Sequence, residues 1–180
     1  MVTTGGDKAR SYSGDYMSAG KNAEEIVIRY LEGEPTVERV VDCRDNPERQ
    51  DQEIDFDVFL KNEKKIFVEV KSDAYLGKSG NILFEFARIN HTVSNLEFCA
   101  VRGWSIRSRA THFIYYAPAV ESLYIIKTPN LRTAMQEYTK QARKNTHFDY
   151  VSTDEIKSTL NILIPISFVK EIKIVKLNFA

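Results

Sequence analysis

The stretch EIDFDVFLKNEKKIFVEVK, Glu53 to Lys71, decides the fold. It contains two alternating runs rich in Val, Ile and Phe, Ile54 to Leu60 and Ile66 to Lys71, around the short polar segment Lys61-Asn-Glu-Lys64. Alternation of this kind around a short polar turn predicts a β-hairpin. Alternate residues of a strand share a face. Glu69 and Lys71 therefore point one way, while Val68 and Val70 point toward a core. Glu53, Asp55 and Asp57 likewise share a face, opposite Ile54, Phe56 and Val58. A turn centred on Asn62 makes the numbers of paired residues add to 124, which sets Asp55 opposite Glu69. Carboxylates opposed across a hairpin stand roughly 4.5–5.5 Å apart at Cβ and repel. A bound divalent cation would offset that repulsion, and a hard ion such as Mg²⁺ takes one or two carboxylates and leaves its other positions to water and phosphate.

Working outward, Ala23, Ile26, Val27, Tyr30 and Leu31 recur at helical spacing and predict a helix over Gly14 to Gly33. Val37 to Cys43 reads as a strand, and Arg44 to Gln52, polar and holding Pro47, as a loop. After the hairpin, Ser72 to Asn81 reads as a loop and Ile82 to Phe86 as extended, while Asn90 to Val101 is ambiguous. Thr111 to Ala117 and Ser122 to Lys127 are further strands. Thr128-Pro129 starts a helix that runs to about Lys144, with Thr at the cap and Pro at the first helical position. Strands at Leu160 to Ile164 and Ile172 to Leu177 close the chain. Such a mixture predicts an α/β fold with a central mixed β-sheet flanked by helices.

The bulk numbers agree with one domain. The chain has 180 residues, of which 43% are hydrophobic and 28% charged, enough apolar material for a packed core. Residues 1–13 read as a flexible lead-in and 14–180 as a single domain. No apolar run is long enough to span a bilayer, and the N-terminus lacks the layout of a signal peptide. Cys43 and Cys99 are far apart with no second pair for a zinc site, so reduced thiols in a cytoplasmic protein are expected. The net charge is zero but unevenly spread: residues 1–63 carry 8 basic and 15 acidic side chains (−7), residues 64–109 carry +4, and residues 110–180 carry +3. An acidic first third ahead of a basic remainder suits a protein that handles both a cation and a polyanion. It also suits an ordinary soluble protein.

The order acid, turn, Glu69-Val70-Lys71 resembles the PD-(D/E)XK nuclease superfamily. That family places an acid at the head of one strand and Glu/Asp-x-Lys on the next, here Asp55 and Glu69-Val70-Lys71. A glutamate often comes from the preceding helix, and Glu24 in Gly20-Lys-Asn-Ala-Glu-Glu25 occupies that place. Ile54 stands where the name-giving proline would be. More loosely, Gly80-Asn-Ile-Leu-Phe-Glu85, Gly103-Trp104 and Thr111-His-Phe-Ile-Tyr-Tyr are similar to small phage and bacterial nuclease-like members. The resemblance implies a restriction-endonuclease-like fold and DNA phosphodiester hydrolysis with Mg²⁺ or Mn²⁺. It further implies Asp55, Glu69 and the Val70 carbonyl as metal ligands, Lys71 assisting the attacking water, and Glu24 completing the acidic cluster.

Each of these residues also has a plainer reading. Glu69 and Lys71 can be a charge pair on a solvated strand face. Helical spacing does not separate Glu24 from Glu25, and Asp57 or Glu85 can join the site. Lys78, Arg102, Trp104, Arg107 and Arg109 are candidate DNA contacts through phosphate pairing and stacking, although Trp104 can equally be packed. Tyr115, Tyr116 and Tyr124 read as core, and Arg132, Lys140, Arg143 and Lys144 as a solvated helix face. His91, His112 and His147 share no metal-ligand spacing. DNA is the expected partner, a homodimer is a further expectation, and a non-catalytic nucleic-acid-binding or assembly module on the same fold is the alternative.

Overall fold

A computed structural model describes residues 8–91, 98–142, 149–152 and 157–178. Two sheets carry the fold. The first has six strands in the order β1 (Val37–Asp42), β2 (Phe56–Leu60), β3 (Lys65–Ser72), β6 (His112–Ala117), β7 (Ser122–Lys127), β10 (Lys173–Lys176). It is mixed, because β3 and β6 pair in parallel while its other neighbours are antiparallel. The second is a four-stranded antiparallel sheet in the order β5 (Phe98–Arg102), β4 (Asn81–His91), β9 (Lys157–Pro165), β8 (Asp149–Ser152). The expected mixed central sheet is present. The central strands of the second sheet, β4 and β9, contain the expected extended segments Ile82 to Phe86 and Leu160 to Ile164, but their pairing into a separate sheet was not foreseen. β5 falls at the end of the ambiguous Asn90 to Val101 stretch and β8 in an unassigned segment.

The predicted hairpin is observed in its predicted register. Phe56 pairs with Val68, Asp57 with Phe67 and Val58 with Ile66, each pair adding to 124. The long helix α1 (Lys8–Gly33) starts inside the expected lead-in rather than at Gly14. Its residues Ala23, Val27 and Leu31, four apart, pack on Phe56, Val58, Val68 and Val70 and on Ile114, Tyr116 and Leu123. The other face of the sheet, Phe113, Tyr115, Tyr124 and Ile126, packs against Ile82, Phe84, Ile162 and Ile164 of the second sheet and Leu131, Ala134 and Met135 of α5 (Thr128–Ala142). Tyr115, Tyr116 and Tyr124 are core residues, as expected. The Tyr115 hydroxyl donates to the Leu83 carbonyl (3.1 Å), a polar tie between the sheets.

Three short helices occupy segments expected as loops or left unassigned. α2 (Pro47–Asp51) is capped by Asn46, whose side chain accepts from the Arg49 N–H (3.2 Å). Pro47 marked a loop in the sequence, but at the first turn of a helix it loses no hydrogen bond. α3 (Leu76–Ser79) ends on Gly80 at φ +67°, and α4 (Trp104–Arg107) follows Gly103. Glu53 leaves the strand pattern. It sits at φ +53° where α2 turns into β2, so only Asp55 and Asp57 remain of the expected three-acid face.

Gly103 lets β4 and α4 touch: a Cβ there would lie 2.2 Å from the Glu85 carbonyl oxygen. Gly103→Ala should therefore lower stability by about 1–3 kcal/mol, the usual range for overpacking. Gly20→Ala, in α1 with nothing within 4 Å of its Cβ position, should raise it by roughly 1 kcal/mol. Thermal melts of the two variants check the contrast.

Candidate functional site

Asp55 stands one residue before β2 and is 8% exposed. Its backbone N–H donates to the Val68 carbonyl (2.8 Å), just beyond the last paired residues Phe56 and Val68, so Asp55 sits at the end of the ladder next to the Glu69 strand. Its Oδ2 accepts the Val70 N–H (2.7 Å). Within a strand a residue's N–H and C=O point to the same side, so the Val70 carbonyl is also directed to the Asp55 side. Glu69 is 2% exposed and pairs through Oε1 with the Lys71 ammonium. Its second oxygen, Oε2, is buried without a hydrogen-bond partner. A carboxylate oxygen in that position costs free energy until a cation or a proton reaches it.

The repulsion expected between Asp55 and Glu69 is thus offset by the chain itself, Lys71 serving Glu69 and the Val70 N–H serving Asp55. Burial, the main cause, pushes the Glu69 carboxyl up to about 7; the Asp55 and Glu24 carboxylates push the same way and Lys71 opposes. Burial also disfavours the charge on Lys71, but Glu69 and Asp55 outweigh it and hold the ammonium above its ordinary value. The Lys71 Nζ lies 4.7 Å from the centre of the Trp104 ring.

Glu24 faces this cluster from α1. Burial and the Asp55 carboxylate raise its pKa, with Arg44 opposing. That field effect separates it from Glu25, which is half exposed. Arg44 was missed in the sequence. Its guanidinium joins Glu24 (3.3 Å), Glu25 (2.8 Å) and Asp42, and so ties α1 to the end of β1. A lone Arg in a polar stretch gives no sign of such a role.

Asp57, the other candidate acid, is engaged elsewhere. Its Oδ2 meets Arg49 (2.9 Å) and Lys65 (2.8 Å), nearer the turn end of the hairpin than Lys71. Glu85 is buried, accepts from the Trp104 N–H (3.1 Å) and approaches Arg88 (3.4 Å). Its charge is felt at Lys71, so it borders the cluster from the second sheet.

Trp104 is a correction. It is 7% exposed and packs on Phe113 and Tyr115 at ring-centre distances of 5.5 and 6.5 Å, leaving no open face for a base. The arginines around it are surface groups. Arg107 pairs with Glu53, and the Arg109 N–H donates to the Gln52 carbonyl (2.8 Å), which ties both to the segment just before Asp55. Arg102 and Lys78 are exposed, at the end of β5 and in α3. Arg132 is a second correction. It donates to the carbonyls of Ser105, Ile106 and Ser108, closing the end of α4 instead of lining a solvated ridge. Lys140 is exposed, while Arg143, Lys144, His147 and the His91 side chain lie outside the described residues. His112 is half-buried, with Nδ1 3.0 Å from the Thr111 hydroxyl.

Among the described residues, no three carboxylate, thiol or imidazole groups converge as a ready-made cation cage. The donor set nevertheless fits a hard divalent ion. It offers two carboxylates, one of them with an oxygen left without a partner, and a backbone carbonyl on the same side; such ions complete their shell with water and phosphate.

Glu69 gives a pH test. A carboxyl whose folded pKa is raised makes the folded state bind more protons, so its contribution falls as pH rises from the unfolded value, about 4.5, through about 7. Without added metal, the protein should lose stability relative to Glu69→Gln between pH 5 and 8, by on the order of 2–3 kcal/mol. Urea melts of both proteins across that range check it, and parallel curves would show that Glu69 is not under strain.

No protein-family model and no curated protein matches the chain. Among solved structures, a bacterial homing endonuclease, I-Ssp6803I, aligns over 62% of this chain and 68% of its own, with 15% sequence identity and a TM-score of 0.45. A likeness at that identity and score assigns neither a family nor an activity.

Proposed function

We propose that the protein is a metal-dependent deoxyribonuclease of restriction-endonuclease-like type that hydrolyses phosphodiester bonds with Mg²⁺ or Mn²⁺. The observation that carries the reading is the buried Glu69, one oxygen unpartnered, between Asp55 at the head of the neighbouring strand and Lys71 two residues along. Asp55, Glu69 and the Val70 carbonyl would hold the cation. When bound, such an ion lowers the pKa of a water and neutralises charge on a phosphate oxygen.

The chain's own groups do the rest. In hydrolysis a water oxygen bonds to phosphorus, the P–O bond to one sugar oxygen breaks, and that oxygen leaves with a proton. Lys71 supplies a fixed positive charge for the phosphoryl oxygens as negative charge builds on them. Its ammonium must turn from Glu69 toward the phosphate, and the Trp104 ring beneath limits where it can go. Burial of Glu69 keeps the local dielectric low, so these charges act strongly. Glu24, steadied by Arg44, adds negative charge on the α1 side. Two strands of a duplex would need two such sites, hence a homodimer for double-strand cutting.

The Glu69–Lys71 ion pair also favours a second reading, a binding or assembly module in which Lys71 only neutralises Glu69. The two readings part at Lys71→Ala. In the nuclease reading, single-turnover cleavage falls by orders of magnitude, the loss of about 3–4 kcal/mol of transition-state stabilisation. Calorimetric Mn²⁺ affinity holds or improves, since a like charge has gone. Asp55→Ala and Glu69→Ala lose both cleavage and Mn²⁺ binding. Cleavage at the wild-type rate by Lys71→Ala would refute the catalytic assignment.

A further inference from the structure

The sheet face that bears Asp55 and Glu69 continues along the hairpin into a row of cations laid on aromatic rings. Arg39 of β1 pairs with Phe59 of β2, and Phe59 pairs with Lys65 of β3, so the three side chains form one cross-strand row. The Arg39 guanidinium lies 4.1 Å from the centre of the Phe59 ring, and the Lys65 ammonium 4.8 Å from it. The next row holds Asp57 and Phe67, with Lys65 5.0 Å and Arg49 of α2 4.9 Å from the Phe67 ring. Beyond the end of the paired ladder come Asp55 and Glu69.

Cations stacked on rings can be an end in themselves, each worth about 0.5–1 kcal/mol at exposed sites. Two features point further. First, the three cations face one carboxylate in this cluster, Asp57, which meets only Arg49 and Lys65, both through a single oxygen. Arg39 and Lys65 are exposed on this face, within a stretch whose first 63 residues carry −7 overall. Secondly, the row is continuous with the proposed catalytic cluster. Lys65 is four residues along β3 from Glu69, roughly 13 Å at the rise of a strand. That is about four base-pair steps along a duplex axis. The Arg39 guanidinium, lying over the Phe59 ring, can keep its N–H edge for a phosphate, whereas Arg49 already donates to Asp57 and Gln52 and adds its charge.

We infer that Arg39, Lys65 and Arg49 form a backbone-binding track that seats the phosphates flanking the scissile bond, with Phe59 and Phe67 holding the cations in place. This rests on the nuclease reading and deepens it. The track carries no sequence information, since phosphate contacts position a duplex without reading it. Its function is to fix the strand relative to Asp55 and Glu69.

The test is the double variant Arg39→Gln/Lys65→Gln, which leaves the proposed metal ligands untouched. Affinity for a short duplex is measured in Ca²⁺ across a salt series, alongside a Mn²⁺ titration, a melting temperature and sedimentation of the free protein. The expected result is weaker binding at 0.1 M salt by tens-fold, and a log–log salt slope shallower by about 2, since each phosphate contact contributes roughly 0.9. Mn²⁺ affinity stays at the wild-type value, and the charge-preserving variant Arg39→Lys/Lys65→Arg keeps DNA affinity. Unchanged affinity and slope in the double variant, while the wild type binds, would overturn the track and leave the nuclease reading standing. Unchanged DNA affinity with altered self-association would assign the face to a second copy of the chain and likewise overturn it. No DNA binding by the wild type would overturn both.

Discussion

The hydrogen bond from the Val70 N–H to Asp55 Oδ2 fixes the relation between the two strands on which the site is built. A backbone donor at the edge of the β2–β3 ladder needs an acceptor, and here a side chain supplies it. Because that side chain is a carboxylate, the ladder ends with an acid held against the neighbouring strand. The acceptor loses water and mobility, and its charge is felt at Glu69. Moving the hairpin register by one residue would turn Asp55 and Glu69 into the α1 core and expose Phe56 and Val68. The apolar packing of Ala23, Val27 and Leu31 therefore determines which face the acids take.

The position of the cluster follows from the way the sheet is covered. On the face away from α1, β6 and β7 offer Phe113, Tyr115, Tyr124 and Ile126 to the second sheet and α5. The hairpin offers Asp55, Asp57, Phe59, Lys65, Phe67, Glu69 and Lys71 on that same side. Glu69 and Lys71 pair with Phe113 and Tyr115 across the parallel β3–β6 junction, so the charged half of the face meets the apolar half there. Trp104 closes the boundary, packed on Phe113 and Tyr115 and reaching the Lys71 ammonium. A carboxylate and an ammonium at this seam are dry enough to interact strongly.

Local pattern made the hairpin, its register and the β6–β7 pair legible, because alternation and a short turn are properties of neighbouring residues. Asp55, Glu69 and Lys71 were read from the same pattern, and the structure sets them side by side, with Glu24 near enough for its charge to be felt. Contacts between distant segments were not legible. Arg44 finds Glu24 and Glu25 some twenty residues away. Arg132 finds the end of α4, and the second sheet joins β4 to a strand more than sixty residues later. Trp104 shows the limit most clearly. A tryptophan among arginines has the composition of a stacking platform, and only the placement of Phe113 and Tyr115 shows it to be core. Pro47 misled for a simpler reason, since the residue that breaks a helix interior also starts one when an Asn precedes it.

The most direct measurement is incubation of the purified wild-type chain with supercoiled, linear, single-stranded and junction DNA, in Mg²⁺, in Mn²⁺ and in EDTA. The account predicts that at least one form is cut in each metal and that none is cut in EDTA. Cleavage that persists undiminished in EDTA, or intact DNA of every form in both metals, would contradict it.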